Sequence, residues 1–298
     1  MSETSYDQNS AVNKLQDDLF RADYVADQSL TSTLSLMTKL QRPLLVEGDA
    51  GVGKTEISRA LSRTFDCPLI RLQCYEGLDV NSAVYEWNYQ YQLLSIKIQE
   101  GQQLSASDKH IFSEEFLLKR PLLEAISQPQ SPVLLIDEID RADEEFEAFL
   151  LEVLSDFQIS IPELGTIKAT SIPHVILTSN GTRELSDALR RRCLYYYVDY
   201  PEFVKELRIV QKRLPDISHQ LSSQIVECIQ SFRKMDLHKK PGIGETLDWA
   251  AALMQLNVEN LNNNPELIMD SLVCVLKTRH DYNQVTQDVL DQLVMNAG

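Results

Sequence analysis

The sequence predicts an α/β fold, a parallel five-stranded sheet sandwiched by helices, followed by an all-α domain. Three observations carry that expectation. Pro43–Thr55 (PLLVEGDAGVGKT) reads as a strand, a glycine-bearing loop and the start of a helix. Val133–Glu138 (VLLIDE) is an apolar run ending in two carboxylates, the pattern of a buried parallel strand whose carboxyl end opens on a site. From Lys205 onward every segment has helical spacing, with breaks at Pro215, Pro241-Gly242 and Asn262–Pro265.

Taken in order, residues 1–22 form a polar segment with weak helical spacing. A helix follows from Asp27 to Leu40, because Leu30, Leu34 and Met37 recur on one face and Gln41-Arg42-Pro43 stops it. Leu44–Val46 is the first strand; Ile57, Ala60, Leu61 and Phe65 then mark one face of a helix. Pro68–Gln73 reads as the second strand. In an insertion at about 85–111, Tyr85, Trp87, Tyr89, Tyr91 and Leu93 alternate with polar residues, which suggests a strand or hairpin arm. Leu94, Ile96 and Ile98 continue on the opposite parity, so a bulge or a helix fits as well. The segment is either ordinary packing or an exposed aromatic surface for a partner. Glu100–Asp108 is polar, and helical spacing runs from Ile111 to Ile126. After the Val133 strand, Asp143–Asp156 is amphipathic and 157–170 alternates around Pro162–Gly165 as a β-hairpin. His174–Ser179 and Leu194–Val198 are the last two strands. The expected division is an α/β domain over 23–202 and a helical domain over 203–298.

Composition narrows the function classes. The 298 residues are 43% hydrophobic and 24% charged, enough for two domains with cores. MSETSYDQNS has neither a basic start nor an apolar stretch, so no export signal is expected. No apolar run approaches the roughly 20 residues of a membrane span. Cys67, Cys74, Cys193, Cys228 and Cys274 form no C-x-x-C pair and read as reduced, mostly buried thiols of a cytoplasmic protein. The five histidines show no ligand spacing, so no structural zinc is expected. The net charge is −16; residues 205–298 hold ten Lys/Arg and twelve Asp/Glu, leaving −14 on the first 204. A surface for phosphate backbone is basic, so nucleic acid is not an expected partner.

The loop fits G-x-x-x-x-G-K-[ST] with Gly48, Gly53, Lys54 and Thr55. Gly48, Gly51 and Gly53 let the backbone curl its N–H groups toward phosphate oxygens, and the helix N-terminus adds partial positive charge. Lys54 suits the β- and γ-phosphates of ATP and the Thr55 hydroxyl suits Mg²⁺. Asp137 is the second candidate Mg²⁺ holder, and Glu138 the group that polarises the attacking water. A competing reading makes Asp137, Glu138, Asp140, Asp143 and Glu144 acids favoured at a helix N-terminus. That explains Asp143 and Glu144, but not a carboxylate pair ending an apolar strand. Asn180 is either a turn former or a side chain that reaches the γ-phosphate or the water. Arg190-Arg191-Arg192 precedes the last strand, as solvated charge or as something more specific.

Phosphate loop, DE strand, Asn-ended strand, arginine cluster and helical domain, in that order, resemble an AAA+ ATPase. Asp137-Glu-Ile-Asp-Arg-Ala142, the extra residues ending in Leu118-Lys-Arg-Pro-Leu-Leu and the 157–170 hairpin resemble its MoxR branch. Tyr85-Glu-Trp-Asn-Tyr, Glu115–Arg120 and Arg191-Arg-Cys-Leu-Tyr-Tyr look like CoxD-type members of that branch. The resemblance covers about residues 24–256. It implies a hexameric ring of identical subunits, ATP and Mg²⁺, a chaperone-like remodelling role in maturing a molybdenum metalloenzyme, and a von Willebrand A-domain partner. By position it implies that Gly48, Asp49, Ala50, Gly51, Val52, Gly53, Lys54, Thr55 and Glu56 contact nucleotide. It assigns Asn180 as a sensor, Arg192 or Arg191 as an arginine finger, and Tyr24 and Val25 as the adenine contacts. One position departs: Glu245 stands where relatives often carry an arginine that touches the γ-phosphate. That departure keeps a nucleotide-gated scaffold with little turnover in view. The shared fold does the same for a nucleic-acid-remodelling machine.

Overall fold

The computed structural model describes residues 3–101 and 111–296. Helices α1 (Glu3–Arg21) and α2 (Gln28–Leu40) precede strand β1 (Leu44–Glu47) and helix α3 (Lys54–Phe65). Then come β2 (Leu69–Gln73), the single turn α4 (Val80–Ala83), β3 (Tyr85–Trp87), α5 (Tyr89–Gly101), β4 (Leu117–Lys119), α6 (Pro121–Ser127) and β5 (Val133–Asp137). Helix α7 (Glu144–Asp156), β6 (Gln158–Ile161), β7 (Gly165–Lys168), β8 (His174–Ser179), α8 (Asp187–Arg192) and β9 (Leu194–Tyr197) follow. The remainder is helical: α9 (Phe203–Arg213), α10 (His219–Lys234), α11 (Ile243–Gln255), α12 (Pro265–Ser271), α13 (Arg279–Gln284) and α14 (Gln287–Asn296).

Two compact units share the chain. The first holds the described residues up to Leu15, Gln28–Glu47 and Thr55–Tyr197; the second holds Gln16–Asp27, Gly48–Lys54 and the chain from Val198.

The first unit is built on a five-stranded parallel sheet in the order β2-β5-β8-β1-β9. Its middle strands are apolar on both faces because helices cover both. In β5, Val133, Leu134, Leu135 and Ile136 are all at most 1% exposed. The register aligns the carboxyl ends: Gln73 faces Asp137, and Glu47 faces both Ser179 and Tyr197. Ligands of open parallel sheets sit outside that edge. Helix α7 starts where Asp143 accepts the Phe146 N–H (2.8 Å) and buries Phe146, Leu150 and Val153. The 157–170 hairpin is the antiparallel pair β6–β7.

The insertion differs from its period-two pattern. Only Tyr85–Trp87 is strand, paired antiparallel with Leu117–Lys119, and the chain turns helical at Tyr89. Trp87 is 7% exposed with its ring edge-on to Phe112 (5.4 Å), whereas Tyr89 is 63% exposed. The aromatic alternation therefore spans one packed residue and one open one. The expected helix from Ile111 to Ile126 is also absent over its first half. Pro121 lacks an N–H and disfavours helix in the residue before it, so α6 begins there and Leu117–Lys119 pairs instead. The polar stretch 100–108 lies mostly outside the described residues. At the other end, residues 3–21 form a full helix despite their polar composition, with Leu19 wholly buried.

In the second unit the core packs Phe232 and Trp249 (ring centroids 6.3 Å apart) among Val210, Ile225, Leu253, Ile268 and Val285. Among the described residues no helix is long and apolar enough to cross a membrane.

Candidate functional site

The glycine loop is held by the second unit. Gly51 and Gly53 have φ of +81° and +93°, the left-handed region that side chains resist. At Gly51 space is tight as well: a Cβ on Gly242 would lie 2.7 Å from the Gly51 Cα, and Ile243 N–H donates to the Gly51 carbonyl (2.9 Å). The Lys54 ammonium, 7% exposed, donates to the carbonyls of Gly48 (2.6 Å) and Asp49 (2.7 Å). It is thus folded into the loop's own concavity. Val52 is buried, Asp49 and Ala50 are exposed, and Tyr200 OH donates to the Ala50 carbonyl (3.4 Å). Tyr24 and the buried Val25 follow α1, where the Tyr24 N–H closes on the Leu19 carbonyl (3.0 Å).

Glu245 has a local task. Its carboxylate accepts the Gly242 N–H (3.1 Å), the reach-back of a capping box at the start of α11. The pattern G-x-x-E before an apolar run signals such a cap, so the departure noted at this position has a structural cause.

In the first unit the chain resumes at Thr55, whose hydroxyl donates to Asp137 Oδ1 (3.2 Å). Thr178 donates to the same oxygen (2.5 Å), and Arg71 grips Oδ2 through Nη2 (2.6 Å) and Nε (3.1 Å). Two hard oxygens side by side, one anionic, suit a divalent cation such as Mg²⁺. Arg71, at 48% exposure, supplies the positive charge here.

Glu138 sits in a left-handed conformation (φ 56°, ψ 50°), unusual for a non-glycine residue. Its N–H donates to Thr178 Oγ1 (2.9 Å), and its carboxylate accepts from Gln73 Nε2 (3.1 Å) and Arg141 Nη1 (3.0 Å). Asp140 is 3% exposed and gathers the Asn180 N–H (3.2 Å), the Thr182 N–H (3.0 Å) and the Thr182 hydroxyl (2.6 Å) on one oxygen. Burial alone would raise its pKa; the bonds from Thr182 and Asn180 outweigh that and hold it below the ordinary carboxylate value. Asp140 therefore anchors the Asn180 loop. It is not merely a helix-start acid.

Glu56 pairs with Arg63 (2.9 Å) and Arg59 (3.5 Å) along α3. In the arginine run, Arg190 pairs with Glu47 (3.4 Å), and Arg192 donates to Ser155 Oγ and the Ala188 carbonyl. Arg191 is exposed, and among the described residues its guanidinium makes no recorded hydrogen bond or ion pair. The segment leading there is pinned by buried Glu147, which accepts from Arg183 and from the Ser186 N–H (2.9 Å). All five cysteines are free, and burial pushes Cys74, Cys193 and Cys228 up to about 12.

Sequence reasoning did not single out Arg71, Gln73, Thr178 or Arg141. Arg71 and Gln73 alternate with buried Ile70 and Leu72 at the end of a strand, which is a readable signal once β2 is known to neighbour β5.

Comparison with known proteins bears on the family and the fold. The chain is 28% identical to an uncharacterised Staphylococcus epidermidis protein over 245 residues, covering 78% of this chain and 83% of that one. An uncharacterised Staphylococcus aureus protein is 29% identical over 244 residues, covering 78% and 82%. The crystal structure of an ATPase candidate from Cytophaga hutchinsonii shares the fold, with TM-score 0.51, 15% identity and coverage of 98% and 96%. Residues 43–193, half of the chain and four of the five strands of the sheet, match the AAA domain of the dynein-related subfamily, and this chain belongs to that family.

Proposed function

We propose that the protein is a Mg²⁺-dependent ATPase of the MoxR type, working as a homo-oligomeric ring that remodels a client protein. The observation that carries the reading is the pair Asp137–Glu138 at the end of a buried strand. One carboxylate lies beside the Thr55 hydroxyl, and the other is held aside by Gln73 and Arg141. Bound Mg²⁺ would supply charge neutralisation at the transferring phosphoryl group. Thr55 and Asp137 would hold it, Lys54 and the loop N–H groups from Gly48 to Glu56 would bind the phosphates, and Tyr24 and Val25 the base. Glu138 would orient and polarise the attacking water, and Asn180, whose N–H is held by Asp140, would reach the γ-phosphate or the same water. Arg191, whose guanidinium is not engaged among the described residues, or Arg192 would complete a neighbouring subunit's site. Metalloenzyme maturation with a von Willebrand A-domain protein is the client setting that the sequence resemblance favours.

Turnover tests the reading. Lys54→Ala is expected to lose both ATP binding and hydrolysis, and Glu138→Gln to bind ATP and stall. Wild-type turnover by Glu138→Gln would remove Glu138 from the mechanism. Arg191→Ala, inactive alone, is expected to regain activity when co-assembled with Lys54→Ala. Failure to do so in mixed rings would place the arginine's action within its own chain, or nowhere.

A further inference from the structure

One cluster of donor atoms in the second unit has no part in nucleotide chemistry. Helix α10 ends at Lys234, and the chain turns through Leu237, which is buried, and His238, which is exposed. Helix α13 is capped by Thr278, which accepts the Asp281 N–H (3.1 Å), and this places His280 and Asp281 in its first turn. Asp281 is wholly buried. The His238 ring lies flat on the His280 ring, with centroids 3.8 Å apart and planes within 2°. One ligand atom from each of His238, His280 and Asp281 lies within 4.8 Å of the others.

The everyday explanation is that Asp281 caps the 235–242 turn, since its Oδ1 accepts the His238 N–H (2.8 Å). That accounts for one oxygen. Among the described residues, Asp281 Oδ2 and His280 Nδ1 are buried and have no hydrogen-bond partner. His280 Nδ1 is 3.5 Å from Asp281 Oδ1, close enough to share a ligand. A buried carboxylate oxygen without a well-formed hydrogen bond is unfavourable, and a cation beside it would satisfy it. The ring planes are parallel, so both rings meet a single ion only after His238 turns.

We propose that His238, His280 and Asp281 form a binding site for a first-row transition ion of the Zn²⁺ class. Two imidazole nitrogens and one carboxylate oxygen are a borderline donor set of the kind Zn²⁺ accepts, and the exposed side of His238 leaves a fourth position for water. Zn²⁺ bonds of about 2.0–2.1 Å bring ligand atoms to about 3.3 Å of one another, so the site closes by rotation of His238 on its turn. The ligands are far apart in sequence, which is why spacing does not reveal them. An ion there would also tie down the turn that carries Gly242 to Gly51.

The test uses the full chain without nucleotide, freed of any affinity tag and treated with chelator. Zn²⁺ is titrated against a chromophoric competitor, and Co²⁺ is added in parallel to read its visible absorption. One equivalent bound in the micromolar range or tighter is expected, with a tetrahedral Co²⁺ spectrum. His238→Ala and His280→Ala should each weaken binding by about tenfold or more, with unchanged circular dichroism. Affinity equal to wild type in the His238→Ala protein, as a site on the free cysteines would give, overturns the proposal. So does the lack of any bound equivalent at micromolar Zn²⁺. If His280→Ala does not fold, His238→Gln, on an exposed turn, decides the question alone.

Discussion

Asp137 and Glu206 are both buried carboxylates that face an arginine, and they differ in what surrounds the pair. Glu206 on α9 is 0% exposed, and its oxygens accept from Arg233 Nη1 (2.6 Å) and Nη2 (2.7 Å), Gln230 (2.7 Å) and Thr246 (2.8 Å). Arg233 is itself buried, spends its Nε on the Pro241 carbonyl (2.8 Å) and lies over the Tyr200 ring. Every strong donor and acceptor is used, so the network fixes α9, α10 and α11 and leaves nothing over for a ligand. Asp137 is held by Thr55, Thr178 and an arginine that is half in solvent. That arginine can leave at little cost. Saturation marks a structural ion pair, and a releasable partner marks a carboxylate that can take a cation.

Breaking the saturated side should have the largest effect. Glu206→Gln leaves the Arg233 charge buried without its counterion, which costs about 3–5 kcal/mol. Chemical denaturation should then show loss of stability in the C-terminal helices, and cold, low-denaturant spectra should still show the parallel sheet. A change below about 1 kcal/mol would mean that the network is not saturated in solution.

How far this contrast can be read from sequence depends on locality. The sheet strands were readable because each is a short apolar run bounded by polar or Pro residues, and β5 ends in Asp137-Glu138, the pair on which the proposed function rests. Helix α7 was readable from Asp143 and the Phe146, Leu150, Val153 face. The insertion was not, because period-two aromatics such as Trp87 and Tyr89 are compatible with a strand until the partner, Leu117–Lys119, is known. Arg71, Gln73, Glu206 and the His238–His280 pair owe their roles to neighbours far along the chain. Glu245 is the instructive case, because its cap is local and could have been read from its spacing three residues after Gly242.

Asp140 tests the middle ground, as a buried carboxylate with one oxygen held by backbone and hydroxyl donors and not by an arginine. Bonds to an anion are stronger than bonds to a neutral amide, so Asp140→Asn should cost about 1–2 kcal/mol at neutral pH and loosen Asn180 and Thr182. The folded carboxyl titrates below the unfolded value of about 3.9, so its contribution is complete above that pH. It is lost as pH falls through the lower folded value. Stability curves of wild type and Asp140→Asn should therefore run apart above about pH 4 and converge below it. Parallel curves across the acid range would assign the difference to packing instead of charge.

Arg71→Ala should have the smallest effect on stability and the most informative effect on chemistry. The Arg71 side chain is half exposed, so the pair with Asp137 contributes under about 1 kcal/mol, and the melting temperature should barely move. Removing the guanidinium leaves Asp137 with Thr55 and Thr178 only, and its Oδ2 loses its cation. If that oxygen helps to receive Mg²⁺, the mutant needs several-fold less Mg²⁺ for half-maximal ATP turnover, because a competing charge is gone. A rise in the Mg²⁺ requirement would show that Arg71 orients Asp137 for the ion. An unchanged requirement would mean that Arg71 has already withdrawn when nucleotide is bound, so that its contact belongs to the free protein alone. A Mg²⁺ titration at saturating ATP separates the three.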